Sequence, residues 1–114
     1  MPWNLDSDRP IFLQIVERLE SDIVSGKYAP GEKLPAVREL AVEAAVNPNT
    51  MQKACTELER IGLVYSQRTS GRFVTEDKKR IDQTRKDLAK RAAKEFLQKM
   101  EELGIDRDEA IKLL

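Results

Sequence analysis

The stretch Ala45-Val46-Asn47-Pro48-Asn49-Thr50-Met51-Gln52-Lys53-Ala54-Cys55-Thr56-Glu57-Leu58 decides how this 114-residue chain is read. Asn47 is a strong helix N-cap, and Pro48 suits the first helical position, where its missing N–H would be unpaired anyway. Met51, Ala54, Cys55 and Leu58 recur at helical spacing and predict a buried face. Asn49, Thr50, Gln52, Lys53 and Thr56 are left outside, most of them in the first turns. A helix entering the major groove of DNA needs that division, with one face packed and polar side chains reaching base edges near its N-terminus. Asn and Gln can pair with adenine through two hydrogen bonds, and Lys53 suits guanine or a phosphate. The same residues would equally cap and solvate an ordinary surface helix, so the flanking segments decide.

Upstream, a short helix after Pro35 turns Val37, Leu40, Ala41 and Ala44 inward, and Ala45-Val46 makes a tight turn. Before it, a helix opening at Pro10 carries Phe12, Ile15, Val16, Leu19 and Ile23 on one face and ends at Gly26. Lys27 to Leu34 reads as a loop around the turn Pro30-Gly31. Downstream, Gly62 ends the third helix. Leu63–Gln67 and Arg72–Thr75 then predict a hairpin around Arg68-Thr69-Ser70-Gly71. Helix, helix, tight turn, helix, hairpin is a winged helix-turn-helix. Arg68 and Arg72 flank the tip Thr69, Ser70, Gly71, where a wing meets phosphates or the minor groove, and Gly71 lets backbone approach closely. Arg38, on the polar face of the second helix, anchors the adjacent DNA backbone or else exchanges weak ion pairs with Glu39 or Glu43.

The remainder differs in kind. From Lys78 to Leu103 there is no proline or glycine, and Ile81, Leu88, Ala92, Phe96, Met100 and Leu103 recur at helical spacing. Gly104 stops this helix. Asp106 with Glu109 resembles a capping box for a last short helix carrying Ala110, Ile111, Leu113 and Leu114. The expected fold class is mainly α with a small β-hairpin: residues 1–76 a winged helix-turn-helix DNA-binding domain, residues 77–114 a two-helix C-terminal dimerisation region. An apolar stripe of this size is too much for one helix to leave in water. Self-association through Ile81, Leu88, Ala92, Phe96, Met100, Leu103, Ile111 and Leu114 would bury it, and folding back on the first helix is the alternative. A two-fold homodimer also sets two recognition helices over a palindrome.

Composition bounds the rest. Lys and Arg number 20, Asp and Glu 20, giving zero formal charge. Distribution matters more than the sum, and basic residues dominate from Arg68 to Lys94 while acidic ones gather towards both ends. No apolar run approaches the roughly 20 residues of a membrane span. The start Met1-Pro2-Trp3-Asn4-Leu5-Asp6 lacks the basic and apolar character of a secretory signal, and the single Cys55 forms no internal disulfide. The expected compartment is the cytoplasm. With no histidine, triads using a histidine base are excluded, and Cys55 falls on an apolar helix face, where a core thiol is expected rather than a nucleophile. Nothing in the sequence has the ligand clustering of a zinc site or a phosphate-binding glycine loop, so neither enzyme activity nor a metal or cofactor is expected. Trp3 has two open readings, packed on the core or exposed at a mobile end.

Taken together, Pro10-Ile11-Phe12-Leu13-Gln14-Ile15, Gly31-Glu32-Lys33-Leu34-Pro35 with Arg38-Glu39-Leu40-Ala41, Val46 to Ala54, Leu58-Glu59-Arg60-Ile61-Gly62-Leu63-Val64 and Gly71-Arg72-Phe73-Val74 resemble the GntR family of bacterial regulators. The two terminal helices resemble its small YtrA-like subgroup. That resemblance implies a tail serving dimerisation rather than a large effector-binding domain, and regulation of neighbouring transporter genes. It also implies that Arg38 contacts phosphate or base, that Asn49, Thr50 and Gln52 are contact positions, and that Arg68 to Gly71 form the wing tip. Three residues depart from the family pattern: Ala36 replaces a capping serine, Pro48 replaces a common arginine, and Thr69 replaces the first wing glycine.

The expected function is a sequence-specific transcriptional regulator, a repressor, binding double-stranded DNA through Arg38, Asn47, Asn49, Thr50, Gln52, Lys53, Arg68, Thr69, Ser70, Gly71 and Arg72. Two rivals stand beside it. One is a winged-helix module for protein–protein contact. The other is a regulator with an unidentified small-molecule effector held between the tail helices by Phe96, Leu97 and Met100.

Overall fold

The computed structural model describes residues 3–114. Its elements are α1 (Ile11–Val24), α2 (Val37–Ala44), α3 (Pro48–Arg60), the strands β1 (Val64–Gln67) and β2 (Gly71–Val74), α4 (Lys78–Glu102) and α5 (Arg107–Lys112). The chain is mainly helical with one small antiparallel hairpin: a winged helix-turn-helix followed by C-terminal helices. Boundaries fall within a residue or so of those the sequence predicts. Pro10 stands just outside α1, its carbonyl accepting from Gln14 N–H at 3.3 Å, rather than as its first residue.

The core forms where the helical faces meet. Ile15, Leu19 and Ile23 of α1, Leu40 and Ala44 of α2, and Met51, Ala54, Cys55 and Leu58 of α3 are buried together. The hairpin contributes Leu63, Val64 and Val74. Between α2 and α3, Ala45 takes the left-handed conformation (φ 59°) and Val46 N–H bonds back to Ala41 C=O at 3.0 Å. An alanine there costs roughly 1 kcal/mol, and the turn it makes sets α3 across α2. The Asn47 side chain then caps α3 by accepting from Asn49 N–H at 2.7 Å.

Two segments carry more structure than the sequence suggests. Residues 31–34 run along β2: Gly31 N–H donates to Val74 C=O and Leu34 N–H to Arg72 C=O, each at 2.9 Å, with Lys33 bridging Phe73. The pairing is too short to leave a strand pattern in the residue types. Trp3, open in the sequence, is 7% exposed and seated on the core, where the Arg18 guanidinium lies 4.6 Å from its ring centroid. Gln14 ties this arm down, accepting from Asp6 N–H and donating to Asp6 C=O, both at 2.6 Å.

One expected interface residue changes place. Ile81, in the first turn of α4, is 5% exposed and belongs to the protomer's own core, because that turn packs against α1 before the helix leaves it. Arg85 fastens the two helices, donating from Nε and Nη2 to Val24 C=O at the end of α1 (3.1 and 2.7 Å) while pairing with Asp82. Beyond it α4 stays beside α1 as far as Arg91, whose charge reaches Glu20, and α5 packs back on α4 through the buried Ala110. The shape is long, 53 × 32 × 22 Å.

Candidate nucleic-acid interface

All the expected contact residues but Lys53 divide between three neighbouring depressions. Arg38, Asn49 and Gln52 line one groove, with Ala36, Val37, Glu39 and Pro48, between the N-terminal ends of α2 and α3. Ala36 and Val37 also line the next, a cleft of about 380 Å³ whose far wall is Arg68, Thr69, Ser70, Gly71 and Arg72. The start of the recognition helix, the start of α2 and the wing therefore share one face. Among the described residues neither Arg38 nor Arg68 has an ion-pair partner, so the alternative pairing of Arg38 with Glu39 or Glu43 is not formed.

Asn47 and Thr50 lie elsewhere, in a third groove lined also by Trp3, Leu5, Ile11 and Val46. Lys53 is turned towards α1, its Nζ 4.6 Å from the centroid of Phe12. Helical geometry explains the split, since positions 49, 52 and 56 run along one line of the surface while 50 and 53 run along another.

The wing is a four-residue hairpin with Val64 opposite Val74, Tyr65 opposite Phe73, Ser66 opposite Arg72 and Gln67 opposite Gly71. Tyr65 and Phe73 stack at 5.8 Å between centroids on its outer face. At its tip Arg68 adopts a positive φ of 23°, the turn closing through Ser70 N–H to Gln67 C=O at 2.6 Å. Gly71 takes φ 106°, a conformation that L side chains rarely adopt, and it faces the flexible end of the Lys33 side chain.

Strand alternation puts Ser66 and Arg72 on the side of Val64 and Val74, towards α3. There both meet Glu59, whose Oε1 accepts from Ser66 Oγ and from Arg72 Nε at 2.6 Å each. These two hydrogen bonds, the Ser66 hydroxyl first, hold the Glu59 carboxyl below the usual glutamate range. One turn earlier, burial pushes the Cys55 thiol up, with the Arg72 charge opposing, as befits an inert core cysteine. Glu59, Ser66 and Lys33 were absent from the sequence-derived site. The signal for the first two was present in the hairpin parity, which sends Arg72 inward to where α3 must offer it a partner.

In the tail, Leu103, Ile111, Leu113 and Leu114 are 50–88% exposed; Ala92 is exposed too, and Leu88, Phe96 and Met100 are half-buried. The groove near the tail turn is lined by Leu97, Glu101, Ile105, Asp106 and Arg107. Of the three residues expected to hold an effector, it includes Leu97 but neither Phe96 nor Met100. No described helix is long and apolar enough to cross a membrane.

Comparison with known proteins places this geometry. Residues 12–74 match the model of the bacterial regulatory proteins, gntR family. The chain is 37% identical over 112 residues to the uncharacterized HTH-type transcriptional regulator YhcF of Bacillus subtilis, covering 98% of this chain and 93% of that one. It is 42% identical over 73 residues to the HTH-type transcriptional repressor YtrA of the same organism, covering 64% of this chain and 56% of that one. Among solved structures, a GntR family transcriptional regulator from Listeria monocytogenes superposes with a TM-score of 0.86 at 42% identity, over 96% of each chain. The DNA-binding domain of AraR, solved in complex with operator ORE1, gives 0.57 at 34% identity over 66% of this chain and 94% of that one.

Proposed function

The chain belongs to the gntR family of bacterial regulatory proteins, and from that premise we propose that it is a repressor that binds a palindromic operator as a homodimer. It is a transcriptional regulator with a DNA-binding winged helix, not an enzyme. The observation that carries the proposal is the shared face: Arg38, Asn49 and Gln52 around one groove, with the wing tip Arg68–Gly71 across the adjoining cleft. Asn49 and Gln52 read base edges in the major groove, Arg38 and Arg68 take phosphates, and the wing lies on flanking backbone.

Dimerisation is supported by the exposed leucines and isoleucine of the tail, which no part of the same chain covers among the described residues. With Ile81 taken into the core, the interface falls to Leu88, Ala92, Phe96, Met100, Leu103, Ile111 and Leu114. Residues 1–76 thus act as the DNA-binding domain and 77–114 as the dimerisation region. Repression is the role of the similar YtrA, a transcriptional repressor. Control of neighbouring transporter genes follows from the subgroup resemblance.

Fluorescence-anisotropy titration against duplexes from the chain's own upstream region, at two salt concentrations, tests this reading. Saturable, salt-sensitive binding that outcompetes random duplex is expected. Arg38→Ala should weaken binding to every sequence, and Gln52→Ala should change preference by about 1–3 kcal/mol at particular base pairs. Indifference of the wild-type protein to every duplex would overturn the proposal, in favour of a winged helix used for protein contact.

A further inference from the structure

A recognition helix and a wing serve one duplex only if they are held at a fixed mutual angle, and a two-stranded hairpin of four residues per strand is marginal by itself. Among the described residues, the side-chain hydrogen bonds that join α3 to the hairpin both end on one atom, Glu59 Oε1, reached by Ser66 Oγ and Arg72 Nε at 2.6 Å. Ser66 and Arg72 are direct cross-strand partners, so a single carboxylate in the last turns of α3 grips both strands at the same rung. The grip is partly withdrawn from water, the Arg72 and Glu59 side chains being 20% and 32% exposed, which favours a charge-assisted bond over a fluctuating surface pair. Arg68 and Lys33, by contrast, are exposed, line the same cleft and have no ion-pair partner among the described residues.

We propose that Glu59 is a positioning residue of the DNA-binding surface: it locks the wing to the recognition helix through Ser66 and Arg72. By neutralising Arg72 it leaves Lys33 and Arg68 as the wing-side cations that meet phosphate. The inference rests on the DNA-binding reading above and reassigns Arg72 within it from contact to support. A wing arginine already bound to a carboxylate displaces no condensed counterion when DNA arrives, whereas an unpaired one displaces about one per phosphate neutralised.

The test is the slope of log K against log salt, measured for operator-bearing and random duplexes with the full-length protein and its variants. Arg68→Met should reduce the slope by about one. Arg72→Met should keep the wild-type slope while reducing the preference for operator over random duplex several-fold. Glu59→Gln should free Arg72, steepening the slope on random duplex by about one and eroding that preference. Ser66→Ala cuts one bond but leaves the ion pair, and should reduce preference at an unchanged slope, which keeps the inference testable if Glu59→Gln folds poorly. A merely structural Glu59 would lower the melting temperature and leave both slopes alone, overturning the inference. So would an Arg72→Met slope reduced as much as that of Arg68→Met, because Arg72 would then be the phosphate contact itself. Wild-type protein that binds no duplex removes the DNA reading and this inference together, a result distinct from either of those.

Discussion

The winged helix and the tail spend their apolar residues in opposite ways. From Trp3 to Ile81 nearly every large apolar side chain on a helical face is sealed by its own chain, with Ile15, Leu19, Leu40, Met51 and Leu58 fully buried. Past Arg85 the same periodicity continues, but Leu103, Leu113 and Leu114 are 64–88% exposed. Identical sequence signals thus have different meanings. An apolar stripe says that a face will be covered and is silent on which chain covers it.

The sharpest way to break that contrast is to shorten one leucine in each region. Leu58→Ala should cost about 2–5 kcal/mol in denaturant unfolding, since Leu58 is fully buried between helices. Leu113→Ala should leave the unfolding of the winged helix unchanged. Equal losses would mean that the tail is part of the same cooperative unit.

Next in size is the tail's own function. Replacing Phe96 and Met100 together by alanine should weaken self-association by about 2 kcal/mol, or about thirtyfold, measured by sedimentation over a concentration series. Affinity for an isolated half-site should be retained. An unchanged association constant would place the dimer contact elsewhere.

A smaller effect is expected at the joint between the regions. Arg85→Ala leaves the Val24 carbonyl without its guanidinium, a loss of about 1 kcal/mol, and frees the angle at which α4 leaves α1. Operators whose half-sites are respaced by one base pair should then be discriminated less sharply than by the wild type. If spacer preference is unaltered, that bond does not set the angle.

The smallest effects are titrations, and they run in opposite directions. Glu59, with its pKa lowered by Ser66 and Arg72, contributes stability that is present above the unfolded glutamate value of about 4.3 and lost as pH falls through its folded value. Glu20, with its pKa raised by burial against the pull of Arg91, carries a cost at neutral pH that is relieved as pH falls through that raised value. Melting temperatures across pH 3–7 should show Glu59→Gln flattening the acid loss, and Glu20→Gln stabilising at pH 7 with a gain that fades on acidification. Parallel curves for both variants would contradict these environments.

The winged helix was legible because its signals are local. Asn47-Pro48 opens α3, the spacing of Met51, Cys55 and Leu58 gives its buried face, and the turn residues bracket the hairpin. What escaped depends on pairs distant in sequence. The short pairing of residues 31–34 with β2 involves too few residues to show alternation, and Ile81 shares the periodicity of the tail while packing on α1. The candidate DNA contacts were legible as a set of polar residues but not as a surface. Nothing local says that Lys53 leans over Phe12, or that a glutamate thirteen residues earlier engages Arg72. That last contact was recoverable in part, because strand parity places Arg72 on the inner side with Val74.

Trp3, held under Arg18 beside the groove that contains Asn47 and Thr50, is the chain's one tryptophan, and both tyrosines, Tyr28 and Tyr65, also lie before the tail. Tryptophan and tyrosine fluorescence therefore reports on the winged helix. Far-ultraviolet dichroism sees both regions, since the 25 residues of α4 add to the helices α1, α2 and α3. The molecule carries one optical channel confined to the winged helix and one shared by both regions, and a single melt recorded in both reads whether its halves come apart together or one after the other.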